Sequence, residues 1–125
     1  MLASNQIWAN VGERIDPTLN LDWQAQDLAT KPALHARKLG NLVVIEGALS
    51  KPTNVTTAGK TIAIFPESVR PNKIHSTGTF ETYQGSTRRE WRYQMLPTGE
   101  LVASGQVATG RIVSQAYVNM TYYLG

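Results

Sequence analysis

The segment Asn41–Asn72 constrains the fold more than any other part of the chain. It holds two runs rich in β-branched and aliphatic residues, LVVIEGALS and KTIAIFP, separated by a Thr/Gly-rich connection and followed by ESVRPN. Pro66 and Pro71 each fix φ and lack a backbone donor, so a strand ending at Phe65 must leave its hydrogen-bonded ladder there. Arg70, immediately before Pro71, is pushed toward an extended conformation. From there its guanidinium can reach back to loop carbonyls or to an acidic neighbour. The Pro-x-x-x-Arg-Pro element is therefore given a structural role ahead of direct ligand contact.

The same punctuation continues on both sides. His35–Leu39 and Leu42–Leu49 flank Gly40-Asn41, which reads as a hairpin around a two-residue turn. In the second of these strands Val43, Ile45 and Leu49 share one face and Val44 and Glu46 the other, so the first set is the expected core face. Lys60–Phe65 places Ile62 and Ile64 on one side, Thr61 and Ala63 on the other. Ile74–Tyr83 is Thr-rich, as suits a partly exposed strand. Arg89–Leu96 and Glu100–Ser104 flank Pro97-Thr98-Gly99, a hairpin signal because Gly tolerates the positive φ such turns need. Ile112–Leu124 sets Ala116, Val118, Met120 and Tyr122 against Tyr117, Asn119, Thr121 and Tyr123. Recurring turns without a long helix predict an all-β protein, an antiparallel, jelly-roll-like β-sandwich.

Residues 1–32 read differently. Asn, Asp, Gln and Pro are interleaved among Ile7, Trp8, Val11, Ile15, Leu19, Leu21, Trp23 and Leu28. The best local helix candidate is Asp22–Ala29, too short to stand without tertiary packing. The domain reading is therefore an N-terminal arm or first strand over 1–32, packing on a sandwich over 33–125, with a linker to an upstream domain as the alternative for the arm. Trp8 and Trp23 either anchor the arm or offer a stacking platform, and anchoring is preferred.

Composition narrows the function classes. A chain of 125 residues supports one domain with a real core. The net charge of +3 comes from 12 Lys+Arg against 9 Asp+Glu, dispersed apart from Arg37-Lys38 and Arg88-Arg89. No continuous basic stripe exists, which argues against nucleic acid. The absence of cysteine removes disulfides and thiolate metal sites. No apolar run approaches the roughly 18 residues of a membrane span, and MLASNQIW lacks the regions of a signal peptide. There is no Ser-His-Asp context, Gly-rich phosphate loop or cysteine nucleophile. His35 and His75 have no partner at metal-ligand spacing and read as ordinary strand residues, so no metal or cofactor is expected.

The order GNLVVIEGAL, GKTIAIFPESVRPNK, LPTGELVASG and SQAYVNMTYYLG resembles bacteriophage tail-fibre and baseplate receptor-binding domains. That family has a V-x-I-x-G strand, then an I-x-x-L-P-x-x-x-R-P element, a hairpin and a C-terminal strand with Tyr. Here Phe65 replaces the Leu and the hairpin carries Thr98-Gly99. The resemblance covers roughly residues 34–125. It implies a carbohydrate-binding β-sandwich at the tip of a phage tail, attaching to host cell-surface saccharide. It also implies other phage tail or baseplate proteins as partners, with assembly as a homotrimer in many members and as a monomer in some. The sequons Asn54-Val-Thr56 and Asn119-Met-Thr121 would then meet no glycosylation machinery.

A saccharide site pairs a flat aromatic, stacking on the ring's apolar face, with planar polar groups that hydrogen-bond hydroxyls in fixed directions. The segment Glu81–Tyr93 concentrates these types, and the candidate ligand-binding residues are Tyr83, Arg88, Arg89, Trp91, Glu81 and Glu90. The opposing reading is that Trp91, Tyr93 and Met95 share a strand face, which makes Trp91 equally a core residue, and that Arg88-Arg89 is a solvated turn. The row Tyr117, Asn119, Thr121 and Tyr123 reads as a subunit interface, a saccharide groove or a buried second face. A glycosidase needs two carboxylates about 5–10 Å apart. Glu81 and Glu90 are the only such pair near the loop, a coincidence common on neighbouring strands. The expected function is a non-catalytic carbohydrate-binding module; the alternative is a structural module that caps or trimerises a fibre.

Overall fold

In the computed structural model, residues 12–20, 23–27, 29, 32–51, 61–83, 88–104 and 113–124 are described, with residues 78–83, 88–91, 104 and 113 described by backbone alone. Among them run ten strands: β1 Glu13–Ile15, β2 Thr18–Leu19, β3 Gln24–Gln26, β4 His35–Leu39, β5 Leu42–Lys51, β6 Thr61–Ile64, β7 His75–Tyr83, β8 Arg88–Met95, β9 Glu100–Ser104 and β10 Val113–Tyr123. A single 3-10 turn, Glu67–Val69, follows β6. The strands pair in the order β1-β4-β5-β10-β7-β8-β9-β6-β2, and β3 pairs with β5. β10 pairs with β5 from Val113 to Tyr123, while its backbone register with β7 covers Val113–Ala116. The strands make two antiparallel sheets, a β-sandwich.

The core between them takes Val43, Ile45 and Leu49 from β5, and Ala116, Val118, Met120 and Tyr122 from β10. Facing these are Tyr93 and Met95 from β8, Leu101 and Ala103 from β9, and Phe65 and Val69 beyond β6. The alternations expected of β5 and β10 hold, with Ala48 of β5 buried in addition to the inward row. Burial of each large apolar side chain is worth roughly 1.5–3 kcal/mol.

β6 departs from its expected pattern. Its register against β9 shifts between Thr61 and Ala63, so strict alternation fails. Ile62 and Ala63 are both buried, while Ile64, expected to share the face of Ile62, is 40% exposed.

The best local helix candidate, Asp22–Ala29, gives way to strand: Gln24–Gln26 form β3 and pair with Ser50, Leu49 and Ala48. β4 covers β5 only from Leu42 to Glu46, leaving the following edge with unpaired backbone groups that β3 satisfies. A segment too short to nucleate a helix takes the available ladder. Trp23, just before it, is 7% exposed and belongs to the core, an anchor as expected. Trp8 lies outside the described residues.

Gly47 marks the change of partner on β5. The Leu34 amide donates to the Ala48 carbonyl at 3.2 Å and the Ala48 amide to the Pro32 carbonyl at 2.8 Å. At φ +135° a Cβ on Gly47 would lie 2.5 Å from the Ala33 carbonyl oxygen, so no side chain fits.

The Pro-x-x-x-Arg-Pro element builds a corner. The 3-10 turn is closed by Val69 and Arg70 amides donating to the Pro66 and Glu67 carbonyls at 3.2 and 3.1 Å. Arg70 Nε donates to the Phe65 carbonyl at 3.2 Å, the reach-back expected from the sequence. The Phe65 amide donates to the Gly99 carbonyl at 2.8 Å, which pins the corner to the β8–β9 hairpin. That hairpin turns over Leu96–Gly99, with Gly99 at φ +87°.

β1 and β2 are joined by Asp16-Pro17 alone, yet they lie at opposite ends of the ladder, β1 on β4 and β2 on β6. The N-terminal strands therefore cover one edge of each sheet.

Candidate functional site

The β7–β8 hairpin carries the six residues singled out in the sequence. Its antiparallel register runs from His75 opposite Met95 to Thr82 opposite Arg88, with Glu81 opposite Arg89, Phe80 opposite Glu90 and Thr79 opposite Trp91. Tyr83 pairs on its other side with Val113 of β10, and Glu81 with Ala116. The backbone thus gathers Glu81, Tyr83, Arg88, Arg89, Glu90 and Trp91 into one end of a single hairpin. Their side chains, and residues 84–87, lie outside the described residues. Glu90 opposes Phe80 and not Glu81, so the two carboxylates considered for catalysis are not cross-strand partners. Trp91 occupies the same alternate position along β8 as Tyr93 and Met95, both fully buried.

The outward row of β10 is a surface, not a buried second face. Asn119 and Thr121 are exposed, Tyr117 is half-buried and Tyr123 is 72% exposed. Partial burial, then the charge of Glu46, raises the Tyr117 phenol above its ordinary pKa. Register aligns Tyr123 with Leu42 and Leu42 with Leu39. This row at the Gly40-Asn41 end includes two exposed large apolar side chains, Tyr123 and Leu39.

The two histidines occupy distinct settings. His75 stacks on Tyr122 with ring centroids 4.9 Å apart and 22° between planes. His35 is buried, its Nδ1 2.7 Å from the Ala33 carbonyl and its Nε2 3.8 Å from Glu46 Oε1. Sequence spacing left His35 without an acidic neighbour, because Glu46 becomes its partner only through the β4–β5 register. Among the described residues no group of three His, Asp or Glu side chains gathers as a metal site. Glu100 accepts hydrogen bonds from Thr61 and Thr98, which hold its carboxyl below the usual range.

No protein-family model matches the chain, and no curated protein matches it. Among solved structures, the receptor-binding head domain of the lactococcal phage bIL170 superposes with a TM-score of 0.63 at 17% sequence identity, over 91% of this chain and 99% of that one. At this identity the likeness concerns the fold: the chain has the all-β architecture of a phage receptor-binding head domain.

Proposed function

We propose that the chain is a non-catalytic, carbohydrate-binding receptor-binding domain of a phage tail or baseplate, attaching the virion to saccharide on the host cell surface. The observation that carries this reading is the match, along nearly the whole length of both chains, to the head domain of phage bIL170. Tyr83 and Trp91 would stack on sugar rings, while Arg88, Arg89, Glu81 and Glu90 would bond their hydroxyls, all from one hairpin end. A shallow site of this kind binds weakly, because each hydroxyl sheds water. Adhesion would gain strength from several copies, in a homotrimer or repeated around the tail. The fluorescent domain, applied to a panel of bacterial strains that includes lactococci, should label some cells and be displaced by simple sugars. Trp91→Ala and Tyr83→Ala should abolish labelling, and labelling that survives both in a folded protein moves the site elsewhere.

The alternative, a module that caps or trimerises a fibre without reading a ligand, draws on the exposed Leu39 and Tyr123, aligned through the half-buried Leu42. It predicts a trimer by light scattering that labels no strain.

A further inference from the structure

A concave site lies among the N-terminal strands, with no β7 or β8 residue among its described lining residues. The Asp16-Pro17 connection, β3 and the chain leading into β4 line an open cavity of about 190 Å³. Its walls are apolar, formed by Pro17, Leu19, Ala25 and the Ala33–Leu34 segment, and Arg14 and Asp16 stand at its rim. Arg14 Nε bonds Asp16 Oδ1 at 3.1 Å, with the two side chains 44% and 68% exposed.

We infer that this cavity is a saccharide contact point separate from the β7–β8 hairpin, taking one sugar ring; the inference rests on the saccharide-binding function proposed above. Small-ligand sites are concave and mostly apolar, with a few placed polar groups, and those for drug-sized ligands begin at about 300 Å³. A smaller volume suits a single ring. The bond joins Arg14 Nε to one carboxylate oxygen of Asp16, so a donor group with further N–H bonds to give stands beside an acceptor with a second oxygen. Neighbouring sugar hydroxyls, each donor and acceptor at once, match that juxtaposition, while the ring's C–H face meets Pro17 and Leu19. Pro17 fixes the backbone of the connection, and the pairing of β1 with β4 and β2 with β6 holds both of its ends, so little ordering is needed on binding.

The test uses the full chain in two assays: amide NMR during titration with D-glucose, D-galactose, L-rhamnose and N-acetyl-D-glucosamine separately, and labelling of the strains the wild type binds. Arg14→Ala removes the rim donor, and Ala25→Phe, at an exposed position, fills the cavity. At least one sugar should shift the Ala25, Ala33 and Leu34 amides saturably, and both variants should lose those shifts and label cells about tenfold less well. Sugar shifts confined to the β7–β8 hairpin, or variants that label cells as the wild type does, overturn the cavity assignment and leave the proposed function standing. A wild type that labels no strain and responds to no sugar overturns both.

Discussion

The Tyr122 hydroxyl donates to the Val69 carbonyl, joining residues 53 apart in sequence. The bond ties β10, in one sheet, to the 3-10 turn that follows β6 in the other. Tyr122→Phe keeps the ring and its stacking on His75 while removing the hydroxyl. It should destabilise the domain by about 1–2 kcal/mol. Urea denaturation should show a lower midpoint with an unchanged slope.

Alkaline pH should act through the same residue. Burial raises the Tyr122 phenol far above its ordinary value of 10.0, and Tyr117 is raised in the same direction. In the unfolded chain both ionise near the ordinary value, so their neutral forms stabilise the fold fully below about pH 10. That contribution is lost as pH rises toward the folded-state values. The denaturation midpoint should therefore fall steeply above pH 10, and Tyr122→Phe should flatten the fall more than Tyr117→Phe.

Glu100 predicts the opposite limb. The hydroxyls of Thr61 and then Thr98 lower its pKa from 4.5, so its contribution is present above that value and is lost as pH falls through the lower folded-state one. Glu100→Gln should destabilise at neutral pH, and its difference from the wild type should shrink in midpoints measured toward pH 3.

Gly99 and Arg70 should behave as a coupled pair. At φ +87° a Cβ on Gly99 would sit 2.6 Å from Arg70 Nε and closer still to the Phe65 carbonyl oxygen. Gly99→Ala should destabilise by about 2 kcal/mol or more, from backbone strain and the clash together. Arg70→Ala, which loses the bond to Phe65, should destabilise by about 1 kcal/mol. Removing the guanidinium relieves part of the clash, so the double variant should fall short of the sum.

What the sequence discloses depends on whether the deciding partner is local. The two rows of β10 follow from alternation alone, and the Arg70 reach-back from Pro71 beside it. β6 escapes that logic because its bulge is set by the register against β9. The strand at Gln24–Gln26 exists because β4 stops short on β5, which no local propensity records. The His35–Glu46 pair is invisible for the same reason, since only the hairpin brings the two side chains together. At the candidate site, residue types mark the Glu81–Trp91 segment, and the fold adds that its two halves face each other in one hairpin. The cavity beside Arg14 and Asp16 leaves no mark in the sequence, because its apolar walls come from three separate stretches of chain.

The Asp16-Pro17 connection bears on solubility. With β1 and β2 removed, β4 and β6 would each present a row of unsatisfied amides and carbonyls to other copies of the chain. A version beginning at Ala33 should then self-associate by strand addition at concentrations where the longer chain stays dispersed. Those few residues would then decide whether neighbouring copies of the chain stay apart.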